Sequence, residues 1–251
     1  MSVEKMIVLH EPSDSSPFLV VFKPAGIPSA PLFEGDESIL TESIKLFPEI
    51  SLVHGKKEVE HGLIHRIDTE TSGLVLIASS QESFDSLIQS QKDGKFEKWY
   101  RAKVDYIEDA AIRLGSFPPL PQQALTEKFM AGKEKLVLES AFRPFGKKGR
   151  EVRPVTQESG RAAVKKSGEK AYQTEILLKD EGLALCRIKA GYRHQVRCHL
   201  AWCGLPVQED LIYNPLAKEK SENSHDMKFT AYKISFPHPL TAEPQIFELQ
   251  D

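Results

Sequence analysis

Two short segments carry residue types in patterns that suit chemistry. The first is His65-Arg66-Ile67-Asp68-Thr69-Glu70-Thr71-Ser72-Gly73-Leu74. Thr, Ser and Gly favour a tight turn whose hydroxyls bind backbone groups. The apolar run Gly73 to Ala78 that follows reads as a buried strand. A carboxylate on a loop anchored by such a strand is presented rigidly, which makes Asp68 a candidate reactive group. Arg66 beside it either pairs with that acid or binds phosphate. The second segment is Gly191-Tyr192-Arg193-His194-Gln195-Val196-Arg197-Cys198-His199-Leu200. A helix over 193–202 puts Arg193, His194 and Arg197 on one face, since residues three and four apart are neighbours. Cations and amides at a helix start suit a phosphate or a carboxylate. Taken singly, each segment is also compatible with something ordinary: a capped turn with a surface ion pair, or a solvated cationic helix face.

Metal chemistry finds little support. Of the histidine pairs, His61/His65 has helical spacing but spans Gly62, and His194/His199 does not. No cysteine pair or acid completes a ligand set, so no metal is expected. Cys186, Cys198 and Cys203 are odd in number and form no C-x-x-C pair. They read as reduced thiols in a compartment such as the cytosol.

Hydrophobic periodicity supplies the scaffold. Phe18 to Phe22 reads as a buried strand, broken by Lys23-Pro24-Ala25-Gly26-Ile27-Pro28. Ile39, Leu40, Ile44 and Phe47 have helical spacing. After the Gly73–Ala78 strand, Ser79-Ser80-Gln81-Glu82 offers a capping box for a helix that Gly94 stops. Strands are expected at 98–107, 172–178, 183–188, 229–236 and over the last ten residues. The stretch 110–170 reads as irregular, with exposed loops and short strands. The fold class is therefore α+β, a mixed and largely antiparallel central sheet with flanking helices and loops, as one domain over 1–251.

With 251 residues and 40% hydrophobic content, the chain can bury an ordinary core. No apolar run approaches the roughly 20 residues that span a bilayer, and the N-terminus does not read as a signal peptide. A soluble, monomeric, cytoplasmic protein is expected. The net charge of −3 does not advertise nucleic-acid binding, and its distribution matters more: residues 141–200 hold 14 Lys+Arg against 6 Asp+Glu, leaving −11 for the remainder, a balance that a solvated surface loop bearing lysines would equally give. A basic segment on an acidic chain suits a local phosphate-binding face.

Four stretches together resemble the RluA family of pseudouridine synthases, in the family's order. LVVFKPAGIPSAP resembles its V-x-K-P-x-G-x-P element, and HRIDTETSGLVLIA its H-R-L-D-x-x-T-S-G-L motif. KWYRAKV resembles its K-x-Y-x-A element. GYRHQVRCHLAWCGLPVQEDLIY resembles G-R-x-H-Q-I-R-x-H followed by G-x-P-I-x-G-D-x-x-Y. The resemblance spans 18–213, with a gap at about 107–170. There are departures: Tyr192 and Arg193 stand where the family usually has Arg and Thr, and Glu209 replaces a Gly. A Glu disfavours a turn with positive φ, so that loop is expected to differ. The chain also opens almost at the catalytic region, so the small N-terminal RNA-binding module of many relatives is not expected in it.

The resemblance implies isomerisation of uridine to pseudouridine in structured RNA, ribosomal or transfer, with no cofactor. It makes Asp68 the catalytic carboxylate, whether by attack on base or sugar or by taking a sugar proton. It places Arg197 as the cation that keeps Asp68 ionised. Tyr100 becomes the ring that stacks on the target base, and Arg66 the side chain that helps displace the nucleotide. His65, Arg193, His194 and Gln195 are expected beside the substrate, and Lys147, Lys148 and Arg150 near RNA phosphates. Two other readings stay open from the residues: an RNA-binding protein of the same fold without turnover, and a nucleoside hydrolase. Hydrolysis usually wants two acids flanking the bond, and only Glu70 lies close to Asp68 in sequence.

Overall fold

A computed structural model describes residues 5–121, 125–179, 182–219 and 227–250. In chain order it contains β1 (Ile7–His10), β2 (Phe18–Lys23), α1 (Ile39–Leu46), β3 (Ser72–Ala78), α2 (Gln81–Lys92), β4 (Glu97–Lys103), α3 (Ala110–Leu114), α4 (Glu127–Met130), β5 (Leu136–Phe145), β6 (Glu151–Val155), α5 (Arg161–Val164), β7 (Tyr172–Lys179), β8 (Leu183–Ile188), α6 (Gln195–Trp202), α7 (Pro215–Glu219), β9 (Phe229–Pro237) and β10 (Pro244–Glu248). Two compact units result, one of residues 1–98 and 230–251, the other of residues 99–229. Strand pairing is mixed and largely antiparallel, the α+β class read from the sequence.

The first unit is ordered β1-β2-β3-β9, with β10 on β9. β2 pairs antiparallel with β3 from Phe18↔Ala78 to Lys23↔Gly73. Both strands are apolar on both faces because both are covered. Phe18 and Val20 of β2 and Leu74, Leu76 and Ala78 of β3, with Phe84 and Leu87 of α2 and Ile234 and Phe236 of β9, belong to one core cluster. The Phe18 and Phe236 rings meet edge to face at 5.3 Å. Emptying the Phe18 position with Ala would cost about 3–5 kcal/mol. α1 opens on a reciprocal capping box between Ser38 and Thr41. α2 is capped by a single bond from Ser83 N–H to the Ser80 hydroxyl at 3.2 Å, not by the box expected there. β3 and β9 run parallel, with Gly73 beside Ala231. A Cβ on Gly73 would lie 2.3 Å from the Ala231 carbonyl oxygen, so this close approach requires glycine.

In the second unit the order is β4-β8-β7-β5-β6. The stretch read as irregular holds its longest strand, β5, ten residues alternating inward and outward. β5 and β6 form a hairpin from Ala141↔Val155 to Phe145↔Glu151. Gly146, Lys148 and Gly149 turn its tip with φ of 74°, 54° and 67°. Arg153 locks the hairpin down. Only 1% exposed, it donates to the carbonyls of Gly115 (2.8 Å), Val152 (2.9 Å) and Leu114 (3.0 Å). Its guanidinium also lies 4.2 Å from the Phe145 ring centroid and 4.6 Å from that of Phe117. α6 is buried along its whole length. It starts at Gln195, after a left-handed His194 (φ 55°), two residues later than the sequence suggests.

Candidate active site

Asp68 sits in a turn closed by the Thr71 N–H on the Asp68 carbonyl at 3.0 Å. The loop that follows β2 clamps this turn. Lys23, fully buried, donates to the carbonyls of Pro24 (2.8 Å), Ile27 (2.7 Å) and Thr69 (3.0 Å). Gly26 N–H also reaches Thr69 O at 2.8 Å. The Ser29 hydroxyl donates to Ile67 O at 2.8 Å and accepts from Ile67 N–H at 3.1 Å. The Lys-Pro-x-Gly and His-Arg-Ile-Asp elements, some 40 residues apart, are thus two halves of one structure. Burial pushes the Lys23 ammonium down to about 8, and the carboxylates of Asp68 and Glu70 oppose that shift. A buried cation in the same unit is therefore within electrostatic reach of the half-buried Asp68.

The flanking residues divide by exposure. His65 is buried, its Nε2 against Leu74 O at 3.2 Å and its ring 5.1 Å from that of Phe96. Burial, aided by the nearby Lys98 charge, pushes it down to about 3, so the ring is neutral. Its position supports the strand behind Asp68. Arg66 points outward, its side chain 59% exposed, with Nη1 3.2 Å from Glu60 Oε1. Lys57 approaches the same carboxylate at 3.9 Å.

The second unit carries Tyr100 and the Arg197 segment. Tyr100 lies on the buried face of β4, stacked on Phe229 with centroids 5.1 Å apart and planes 9° from parallel. One face of its ring is thereby backed by an aromatic. Arg197, 2% exposed, forms a fork on the fully buried Asp210: Nε to Oδ2 at 2.7 Å and Nη2 to Oδ1 at 2.9 Å. Asp210 Oδ1 also accepts from Ile212 N–H (2.8 Å) and Tyr213 N–H (3.1 Å). Burial pushes the Asp210 carboxyl up, but Arg197 and these amides outweigh it and leave it below the ordinary carboxylate range. The Tyr213 hydroxyl accepts from Val152 N–H at 2.9 Å and lies 3.1 Å from His194 Nδ1. Residue type and spacing do not single out Asp210. Its one signal in the sequence is its place in the G-x-P-I-x-G-D-x-x-Y stretch.

Three expectations for this segment change. Arg193 precedes α6 and does not share a helical face with Arg197. Its guanidinium instead donates to the carbonyls of Gly149 and Glu151 at the hairpin tip. That tie puts Arg193 beside the exposed Lys147, Lys148 and Arg150. Gln195 is 2% exposed. Its amide donates to Gln173 O (2.9 Å) and Thr174 Oγ1 (3.0 Å) and accepts from Tyr192 N–H (2.9 Å), so it holds α6 to β7. Glu209 adopts φ 62°: the loop keeps the left-handed residue that a Gly would favour, with Glu bearing the strain. Tyr192 stacks on Phe142 at 5.0 Å, an aromatic role where the family's Arg would stand.

Among the described residues, no group of three or more His, Cys, Asp or Glu is placed to hold a metal ion. Among the described residues, no helix is long and apolar enough to cross a membrane. Cys186, Cys198 and Cys203 are buried free thiols, and burial pushes Cys203 up to about 12.

Comparison with known proteins agrees with this geometry. A ribosomal large subunit pseudouridine synthase D of Zymomonas mobilis is 25% identical over 238 residues, which cover 92% of this chain and 66% of that protein. An uncharacterized RNA pseudouridine synthase of Bacillus subtilis is 25% identical over 98% of this chain and 72% of its own length. The chain thus spans just under two thirds of the first relative. Among solved structures, human RNA pseudouridylate synthase domain containing 1 shares the fold, with a TM-score of 0.64 and 19% identity over all of this chain and 85% of that one. The profile of the RNA pseudouridylate synthase family matches residues 17–202, a span holding Lys23, Asp68, Tyr100 and Arg197, and the chain belongs to that family.

Proposed function

We propose that the protein isomerises uridine to pseudouridine in RNA, with Asp68 as the catalytic carboxylate. The observation that carries this reading is the clamped turn. Lys23, Gly26 and Ser29 fix the backbone on both sides of Asp68, so a half-buried acid is held at a set place with a cation nearby. The reaction breaks the bond from ribose C1′ to uracil N1, turns the base, joins C1′ to C5, moves a proton onto N1 and releases the C5 proton. Atoms balance with no redox step and no added group, so no cofactor or metal is needed. Asp68 supplies the negative charge that starts the exchange. Tyr100, backed by Phe229, offers a flat surface for the base and a hydroxyl for the C5 proton. Arg197 serves as the cation of the site, and the exposed Arg66 helps displace the nucleotide.

The substrate we favour is ribosomal RNA, because the Zymomonas relative is named for the ribosomal large subunit; transfer RNA is the other arm of the test. Phosphates are met by Lys147, Lys148 and Arg150 at the hairpin tip, with Arg193 holding that tip in place. The protein acts as a monomer in the cytoplasm. An RNA-binding protein without turnover, or a hydrolase, gives a different outcome in one assay. RNA carrying tritium at uridine C5 should lose label to water with no loss of base. Asp68→Asn should fold, bind RNA as tightly as the parent and release no label, since the amide keeps the shape and removes the charge. Label release by Asp68→Asn at the parent rate would refute the assignment. Carbodiimide mapping of pseudouridine in a deletion strain and its parent identifies the RNA.

A further inference from the structure

The fork between Arg197 and Asp210 needs an explanation that stability does not provide. Both groups are withdrawn from water, at 2% and 0% exposure. A buried ion pair often contributes no more than two well-packed apolar side chains of the same volume. Asp210 is nevertheless held with unusual completeness. Oδ2 takes Arg197 Nε at 2.7 Å, and Oδ1 takes Arg197 Nη2 and the amides of Ile212 and Tyr213. The carboxylate is thereby fixed to the backbone of its own turn, which the left-handed Glu209 enters at φ 62°. Strained backbone of this kind persists where surrounding structure over-determines it. The Tyr213 ring supports the guanidinium from its side, 5.5 Å from Cζ to centroid, and Tyr213 is itself anchored by Val152 N–H. Two bonds to one rigid carboxylate fix both the position and the plane of a guanidinium. A single charge at the same distance would fix neither.

We propose that Asp210 is a positioning residue of the reaction: it sets the plane of Arg197 and so acts on turnover rather than on RNA binding. The proposal rests on the reading in which Arg197 serves the site. Small misplacements of a catalytic group cost on the order of 100-fold in rate. Asp210→Asn keeps the shape, but the side-chain amide then presents at most one acceptor to a fork of donors. Its kcat should fall about 10- to 100-fold while KM for the RNA stays within about two-fold. Asp210→Glu keeps the charge and should recover part of kcat, which a merely structural loss would not do.

A second pair keeps the test decisive if Asp210→Asn folds poorly. Arg197→Met with Asp210→Leu removes both charges together and should fold, bind RNA and turn over no better than Arg197→Met alone. Tritium release gives kcat and KM for each protein, and urea melts give its stability. A folded Asp210→Asn with the parent kcat overturns the proposal, as does an impairment that falls wholly on KM. So does parent-like turnover by the double variant. If the unaltered protein releases no tritium from any RNA tested, the catalytic reading itself fails, and that result is distinct from all of these.

Discussion

Arg197→Met should destabilise the protein in a manner that depends on pH. The variant leaves Asp210 fully buried with two amide donors and no cation. Removing one partner of a buried pair costs roughly 3–5 kcal/mol. In the parent, Asp210 is held below its ordinary value, so its contribution is present above about pH 4 and is lost as pH falls through the folded pKa. In the variant the order reverses. Burial then dominates, the folded pKa rises above the unfolded one, and the charged form carries a penalty at neutral pH. Acidification relieves that penalty by about 1.4 kcal/mol for each pH unit between the raised pKa and about pH 4. The stability difference between parent and variant should therefore be largest near pH 7 and shrink towards pH 4. Urea unfolding at half-unit pH steps reads it directly, and high salt should leave it largely unchanged because the pair is shielded from solvent. A difference below about 1 kcal/mol, or one that stays flat with pH, would refute the argument that Asp210 depends on Arg197 for its charge.

Three further outcomes follow from the same structure. Changing Lys147, Lys148 and Arg150 to Ala should weaken RNA binding and flatten the salt dependence by up to about 0.9 for each phosphate that is no longer neutralised on duplex sites; an unchanged slope would make the hairpin tip a solvated turn. Glu209→Gly should raise the urea midpoint slightly, since relief of about 1–2 kcal/mol of left-handed strain exceeds the roughly 0.4–1 kcal/mol of added unfolded-state freedom; a lower midpoint would mean that the Glu209 side chain contributes more than the strain costs. His65 and His199 are both neutral by burial, each pushed down from 6.5 to about 3. Their contribution is present above pH 6.5 and is lost on acidification, by up to about 2.7 kcal/mol per pH unit for the two together. Urea melts of the parent that stay level from pH 6.5 to 5 would mean that neither ring is held neutral in the fold, and half the slope would mean that only one is.

The parts of the fold legible in the sequence are those whose pattern is local. β2 and β3 are unbroken apolar runs, α1 has helical spacing, and β7 and β8 sit either side of a polar stretch of sequence, so each can be read to within a residue or two. β5 and β6 cannot, because their inward positions include polar side chains. Ser140 points into the core to meet His199 Nε2 at 2.9 Å, and Arg153 lies buried between two phenylalanine rings. Read in one dimension, a Ser and an Arg break an apolar alternation. In three dimensions each has a partner tens of residues away, which periodicity cannot supply. The start of α6 is misplaced for a related reason: Arg193 fits a helical face by spacing, but a left-handed His194 stands between it and the helix.

The site shows the same division more sharply. Many residues in the chemistry-bearing motifs are spent on backbone. Lys23 satisfies three carbonyls, Ser29 bridges both sides of Ile67, Gln195 ties α6 to β7, and Asp210 pins a turn and a guanidinium. Residue type alone therefore over-counts the groups that meet a substrate. Exposure sets Lys23 apart from Arg66. Lys23→Met would leave the carbonyls of Pro24, Ile27 and Thr69 without that donor and loosen the turn beneath Asp68, so stability and turnover should fall together. Arg66→Ala removes an outward side chain whose partner, Glu60, keeps Lys57 nearby. Its effect should fall on turnover with little change in stability. A motif of this kind is a folding unit first, and Arg66 is a side chain that it does not consume in holding itself together, which fits the role proposed for it.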